Sequence, residues 1–221
     1  MVFARLRMCV SVFWSFFKVS FQVLYGGWRI SRLSKPIVSI FGSARLKLSD
    51  PYSQQAHKLA KKYVDTDISV LTGGGSGIME AASCGAVPQN GGKGISMGIG
   101  VKDLGEGRNP CVQEYFELDH FYARKWLLTR YSVAFVVFPG GFGTLDELTE
   151  VLTLIQTRKL HRVPIVLIGS EYWASFMEWA RGEALKHGTI SKENLQLFTV
   201  TDDLEVAYSL ICDECRLRGA L

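Results

Sequence analysis

Metal-ligand clusters, a strong charge excess, internal repeats and low-complexity linkers are all missing from this 221-residue chain. The five cysteines stand at 9, 84, 111, 212 and 215, and only Cys212 and Cys215 form a C-x-x-C. No second pair or neighbouring histidine completes a zinc set, so Cys212 and Cys215 read as two thiols on a C-terminal helix of a cytoplasmic protein and no metal is expected. The four histidines, 57, 120, 161 and 187, are scattered and read as surface or structural, with only His120 near a segment of interest. A formal net charge of +4 forces no basic patch and argues against a nucleic-acid partner, while suiting a small anionic ligand. Two nucleotide fingerprints also fail. At Gly73 and Gly75 the pattern G-x-G-x-x-G breaks on Ile78, and at Gly92-Lys93 the Walker pattern breaks on Gly94.

What is present is enough apolar residue, 48%, to bury one core, and a regular alternation of element types. β-branched and apolar runs at 36–41, 68–72, 94–100, 133–138 and 164–169 read as buried strands, with a short extra strand around 115–118. Between them, 53–64, 120–131, 145–157, 171–187 and 203–215 carry helical spacing. That order predicts an α/β fold: a Rossmann-like parallel sheet flanked by helices, with an additional N-terminal helix over residues 1–34. The apolar stretch 8–25 follows Arg5 and Arg7, and its polar residues Ser11, Ser15, Lys18 and Gln22 step by four, three and four along one stripe. The expected role is packing against a partner subunit, in a homodimer or larger homo-oligomer. A membrane surface or a span is the weighed alternative, made unfavourable by Lys18, which costs about 2.5–3.5 kcal/mol at a bilayer centre.

Glycine turns fall at the carboxyl ends of the strands, at Gly42-Ser43, Gly73 to Gly77 and Gly140 to Gly143. Ligands of open α/β sheets bind there, and a helix opening from such a turn offers free N–H groups to an anion. A single phosphate is the economical ligand. The stretch V-V-F-P-G-G-F-G-T-L-D-E-L-T-E (136–150) also fits a capping box, Thr144 as cap and Glu147 reaching back, which places a helix start at Thr144. The cap leaves Pro139 and three glycines within four positions unaccounted for.

P-G-G-F-G-T-L-D-E (139–147) resembles the PGGxGTxxE motif of the LONELY GUY (LOG) family, formerly called lysine-decarboxylase-like. Arg124-Lys125 is similar to that family's upstream R-K pair, and F-G-S-A-R (41–45), G-G-G-S-G-I-M-E-A (73–81) and I-G-S-E-Y-W (168–173) extend the likeness from about residue 37 to 206. The resemblance implies that residues 35–221 form a nucleoside 5′-monophosphate phosphoribohydrolase. Such an enzyme cleaves the N-glycosidic bond of AMP or cytokinin nucleotides to free base and ribose 5-phosphate, without a cofactor. Carried onto this chain, Arg124 and Glu147 would be catalytic. Gly140, Gly141, Gly143 and Thr144 would hold phosphate; Ser43, Arg45, Glu80 and Gly74, with Lys125 and Asn109 as weaker candidates, would surround the nucleotide. A carrier of a nucleotide or pterin-phosphate ligand is the alternative, and the retained Arg124 and Glu147 argue against it. The chain departs from the family pattern at Ser83-Cys84-Gly85-Ala86, where N-R-G-A is usual, and in 101–115, where E-G-R-N-P-C replaces a more aromatic segment. Both departures bear on base preference.

Overall fold

The computed structural model describes residues 2–88, 91–105 and 107–219. Among the described residues, seven parallel strands lie in the order β4-β3-β2-β1-β5-β6-β7. They are β1 (Ile37–Phe41), β2 (Ser69–Thr72), β3 (Ser96–Val101), β4 (Glu114–Leu118), β5 (Ala134–Val137), β6 (Ile165–Ile168) and β7 (Thr199–Thr201). The α-helices among the described residues are α1 (Val2–Ser31), α2 (Pro51–Asp65), α3 (Ile78–Gly85), α4 (Phe121–Arg130), α5 (Phe142–Gln156), α6 (Ser170–Trp179) and α7 (Leu204–Leu217).

Strand geometry explains the layering. Successive side chains point to opposite faces, so a strand buried on both sides reads as a continuous apolar run. In β1, Val38 and Ile40 join one core with residues of α2, α3 and α7. Ile37 and Phe41 join the other, with residues of α4 and α5, Trp173 of α6 and Ile30 of α1. Strand β5 divides the same way, Ala134 and Val136 against Phe135 and Val137.

Chain order runs outward from β1 in both directions, through β2 to β4 and through β5 to β7. The reversal between β1 and β5 is a topological switch point, where the loops after the two strands part and leave a crevice. Register pairs Phe41 with Val137, so the turns that follow start side by side.

Several boundaries differ from the sequence reading. The 171–187 helix begins at Ser170 and changes at Ala180 to a π turn through Ala184, and β7, three partly exposed residues, carries no periodic signal of its own. The C-terminal helix starts one residue after Asp203, whose carboxylate accepts from the Glu205 N–H as an N-cap.

Helix α1 is anchored toward its C-terminal end. Ile30 and Leu33 are buried, Gln22 hydrogen-bonds Asp119, and the Arg29 guanidinium meets Glu114 at 2.7 Å. Upstream, Phe13, Trp14, Phe16, Phe17, Phe21 and Leu24 are exposed. Of the predicted polar stripe, Gln22 faces the body of the protein and Ser15 and Lys18 face solvent, while the side chain of Ser11 lies outside the described residues. Among the described residues, no helix is long and apolar enough to cross a membrane.

Candidate active site

Three turns at the switch point interlock. The Ser43 N–H donates to the Pro139 carbonyl at 3.0 Å, the Ile78 N–H to the Ser43 carbonyl at 3.0 Å, and the Ser76 hydroxyl to the Ala44 carbonyl at 2.7 Å. Gly77, at φ +66, makes the close approach possible, since a Cβ there would lie 2.3 Å from the Ser43 oxygen. The turns enclose a cleft of about 610 Å³, within the range of small-molecule sites.

One wall is the start of α5. The helix begins at Phe142 with Gly141 as N-cap and without any side-chain capping bond. Thr144 is therefore not the N-cap the sequence suggested: it is the third helical residue, buried at 4%, and the Glu147 carboxylate pairs with Arg124. The physical reason is the tight Gly140–Gly141 path. A Cβ on Gly140 would lie 2.1 Å from Thr144 Oγ1, so the hydroxyl packs down on that glycine rather than capping the helix end. At Gly141 and Gly143, in contrast, a Cβ would meet nothing within 4 Å, and the cleft stays open above the helix N-terminus. The first N–H groups of a helix have no partner within it, so this wall presents donors and the positive end of the helix dipole. The Tyr172 hydroxyl donates to the Gly140 carbonyl at 2.6 Å and fixes the plane of that peptide.

The opposite wall is α4. Arg124 is 7% exposed, and its Nη2 lies 3.6 Å from Glu147 Oε1, an ion pair longer than a hydrogen bond. Gly73 makes room for it, because a Cβ there would stand 2.2 Å from the guanidinium nitrogen. One position on, Lys125 Nζ meets Asp146 Oδ1 and Glu150 Oε2, both at 2.9 Å. Burial pulls the Lys125 pKa down, but hydrogen bonds to the two carboxylates outweigh it and the pKa ends raised. Helices α4 and α5 are thus joined by charge pairs at two consecutive residues.

Ser43, Arg45, Arg124, Lys125, Gly140, Gly141, Gly143, Thr144 and Glu147 all line the cleft. Gly74, Glu80 and Asn109 do not. The ring of Tyr115 covers Gly74, within 2.6 Å of where a Cβ would stand. Asn109, 4% exposed, is a staple: its Nδ2 donates to the Gly74 and Gly75 carbonyls at 3.0 Å each and to Ser83 Oγ at 3.3 Å. Lining residues missed in the sequence are Met79, Leu104, Phe121, Phe142 and Tyr172. Phe121 and Phe142 stand beside recognisable motif residues; Leu104 has no local signal. Among the described residues, no three His, Cys, Asp or Glu side chains gather as a metal site.

Among the cysteines, the sequence carried no signal for one pairing. Cys84 and Cys111 form a disulfide, whereas Cys9, Cys212 and Cys215 are free.

A family model described as "possible lysine decarboxylase" matches residues 79–211. The probable cytokinin riboside 5′-monophosphate phosphoribohydrolase LOGL9 of rice (Oryza sativa subsp. japonica) is 32% identical over 181 residues, 80% of this chain and 77% of the relative. The cytokinin riboside 5′-monophosphate phosphoribohydrolase LOG1 of Arabidopsis thaliana is 33% identical over 73% of this chain and 74% of its own. Among solved structures, the molybdenum cofactor carrier protein of Chlamydomonas reinhardtii superposes with a TM-score of 0.61 at 21% identity, covering 82% of this chain and 99% of its own. The molybdenum cofactor binding protein of Rippkaea orientalis gives 0.60 at 21% identity, over 81% of this chain and 96% of its own. Those two likenesses concern the fold.

Proposed function

The chain belongs to the LONELY GUY (LOG) family, and on that premise we propose that it hydrolyses the N-glycosidic bond of nucleoside 5′-monophosphates, AMP or cytokinin riboside 5′-monophosphates, at the Arg124–Glu147 pair. The observation that carries this reading is the pair itself. A buried guanidinium and a carboxylate stand 3.6 Å apart on facing walls of the cleft, directly above a glycine-opened helix start.

Each part has a chemical task. The start of α5, with Gly140, Gly141, Gly143 and Thr144, holds the 5′-phosphate, assisted by Ser43 and Arg45. Phosphate binding remote from the broken bond fixes the ribose and lowers the entropic part of the barrier. As the ribosyl–nitrogen bond lengthens, positive charge grows on the sugar. The Glu147 carboxylate stabilises that charge and orients the attacking water. Arg124 offsets the electron density gathering on the departing base. At 3.6 Å the two groups are not locked into a hydrogen bond with each other, and both face the cleft that substrate enters. Lys125, bound to two carboxylates, positions α4 against α5 rather than contacting phosphate.

The remaining readings attach to α1. Residues 1–34 serve as an association helix ahead of the hydrolase domain, residues 35–221. Its exposed aromatic side chains are covered in a homodimer or larger assembly, and the enzyme works in the cytoplasm.

Incubating the full chain with AMP, the other nucleoside monophosphates and cytokinin riboside monophosphates, then separating free base by chromatography, tests the activity. Free base with equimolar ribose 5-phosphate from at least one of them is the expected result. Binding of a nucleotide with no base release from any would favour the carrier reading.

A further inference from the structure

The two segments in which the chain departs from its family's pattern, 83–86 and 101–115, are joined by one covalent bond. Cys84, near the end of α3, is linked to Cys111, 27 residues on, with the Cα atoms 4.8 Å apart. Asn109 lies two residues before Cys111. Besides stapling the 73–77 turn, its Oδ1 accepts from the Cys111 and Val112 N–H groups at 3.1 and 2.9 Å. The bond therefore closes a frame containing α3, the 107–112 segment and the 73–77 turn. That turn in turn carries the Ile78 and Ser76 contacts to Ser43 and Ala44 at the cleft. Glu147 stands on α5, outside the frame, while the Arg124 guanidinium on α4 touches it only where it packs on Gly73.

A second cavity, of about 320 Å³, lies between α2 and α3 and is lined in part by Cys84. It suits a small ligand in size. Lys58 and His57 line it, and so does Ser53, whose hydroxyl oxygen is fully buried and has no hydrogen-bond partner. The Lys58 ammonium gives this wall a positive charge, which fits a small anionic or zwitterionic molecule.

We infer that the Cys84–Cys111 disulfide is a positioning pair for the nucleotide site, opened by a low-molecular-weight thiol admitted through the cavity beside Cys84. A thiolate attacks Cys84 Sγ, the bond to Cys111 breaks, and Cys111 leaves as a thiolate that takes a proton from water. A second thiolate attacks the mixed disulfide at the small molecule's sulfur. The two thiols thereby supply two electrons, ending as a small-molecule disulfide and leaving Cys84 and Cys111 reduced. With the frame open, nucleotide binding must order the 73–77 and 43–45 turns, which weakens affinity. Chemistry on bound substrate changes less, because Glu147 is not tethered by the bond and Arg124 meets the frame only at Gly73. The inference rests on the nucleotide reading of the cleft.

The test uses the full chain, purified without reductant and then titrated with glutathione. Peptide mapping should show residues 84 and 111 in one linked species, and at low glutathione a mixed disulfide on Cys84. Opening should raise KM for AMP, and Kd for ribose 5-phosphate by calorimetry, about three- to tenfold, with kcat changed less than about twofold. The Cys84→Ser/Cys111→Ser double variant should show the weakened affinity with or without thiol. Absence of the linked species, an adduct confined to Cys111, unchanged affinity on opening, or a thiol effect that persists in the double variant would each overturn the inference. Should no nucleotide be hydrolysed, the function reading fails by itself. The linked species and the ribose 5-phosphate Kd still decide this inference.

Discussion

The glycines of the α5 turn separate stability from binding at single positions. A methyl group on Gly140 would meet Thr144 Oγ1 at 2.1 Å, whereas one on Gly141 would enter open space. Gly140→Ala should therefore lower stability by about 1–3 kcal/mol, as overpacking does. Gly141→Ala, whose backbone at φ −84 suits any residue, should keep stability within about 0.5 kcal/mol while raising the Kd of ribose 5-phosphate. Thermal unfolding and calorimetry on the two variants check the contrast. A stable Gly140→Ala would contradict the packing of Thr144 on that glycine, and a Gly141→Ala that binds as the wild type does would remove the phosphate from this turn. At this scale the gathering of 124–125 and 139–147 in one cleft was legible in the sequence through the family resemblance of those motifs. The roles of Thr144 and Asn109 were not. A capping box and a threonine packed on glycine look alike locally, and Asn109 gains its partners only when the 73–77 turn arrives from 34 and 35 residues away.

Helices α4 and α5 show what elements add. Lys125 is largely shielded between Asp146 and Glu150, so replacing it with Met removes two charge contacts and leaves two carboxylates without their cation. Asp146 is well exposed, and the expected loss is about 1 kcal/mol, seen as a lower Tm. Because the same contacts hold α4 beside α5, kcat should fall with it; unchanged kcat would mean that Arg124 is positioned without the latch. Strands and helices with a clear period were readable from sequence, β1 and β5 above all, since burial on both faces leaves an unbroken apolar run. Strand β7 was not, its three residues being placed by pairing Thr199, Val200 and Thr201 with β6. The start of α5 lay two residues earlier than the cap pattern suggested, set by the path after Pro139.

At the scale of the whole molecule, two features lie beyond any local pattern. The disulfide joins cysteines 27 residues apart that meet only once α3 and the 107–112 segment are folded. Closing a loop of that length restricts the unfolded chain by about 3.5 kcal/mol in the loop-entropy account. Reduction should lower the chemical-denaturation stability by that order, and no change would mean the bond is absent in solution. Helix α1 is the other feature. Ile30 and Leu33 belong to the core, so removing residues 1–21 is the informative truncation, retaining Gln22 and its contact to Asp119. The truncated chain should stay folded and fall to a smaller assembly by light scattering. An unchanged mass would show that the exposed aromatic face has no part in association.

The most direct test of the central claim is base release from the best nucleotide of the panel by wild type and Glu147→Gln side by side, with ribose 5-phosphate affinity and Tm recorded for both. Glu147 stands across from Arg124 on the cleft wall, so the account predicts turnover reduced by about a thousandfold or more, with Tm and ribose 5-phosphate affinity close to wild type. Retained turnover, or a collapse of Tm accounting for its loss, would contradict the assignment of the reaction to this carboxylate.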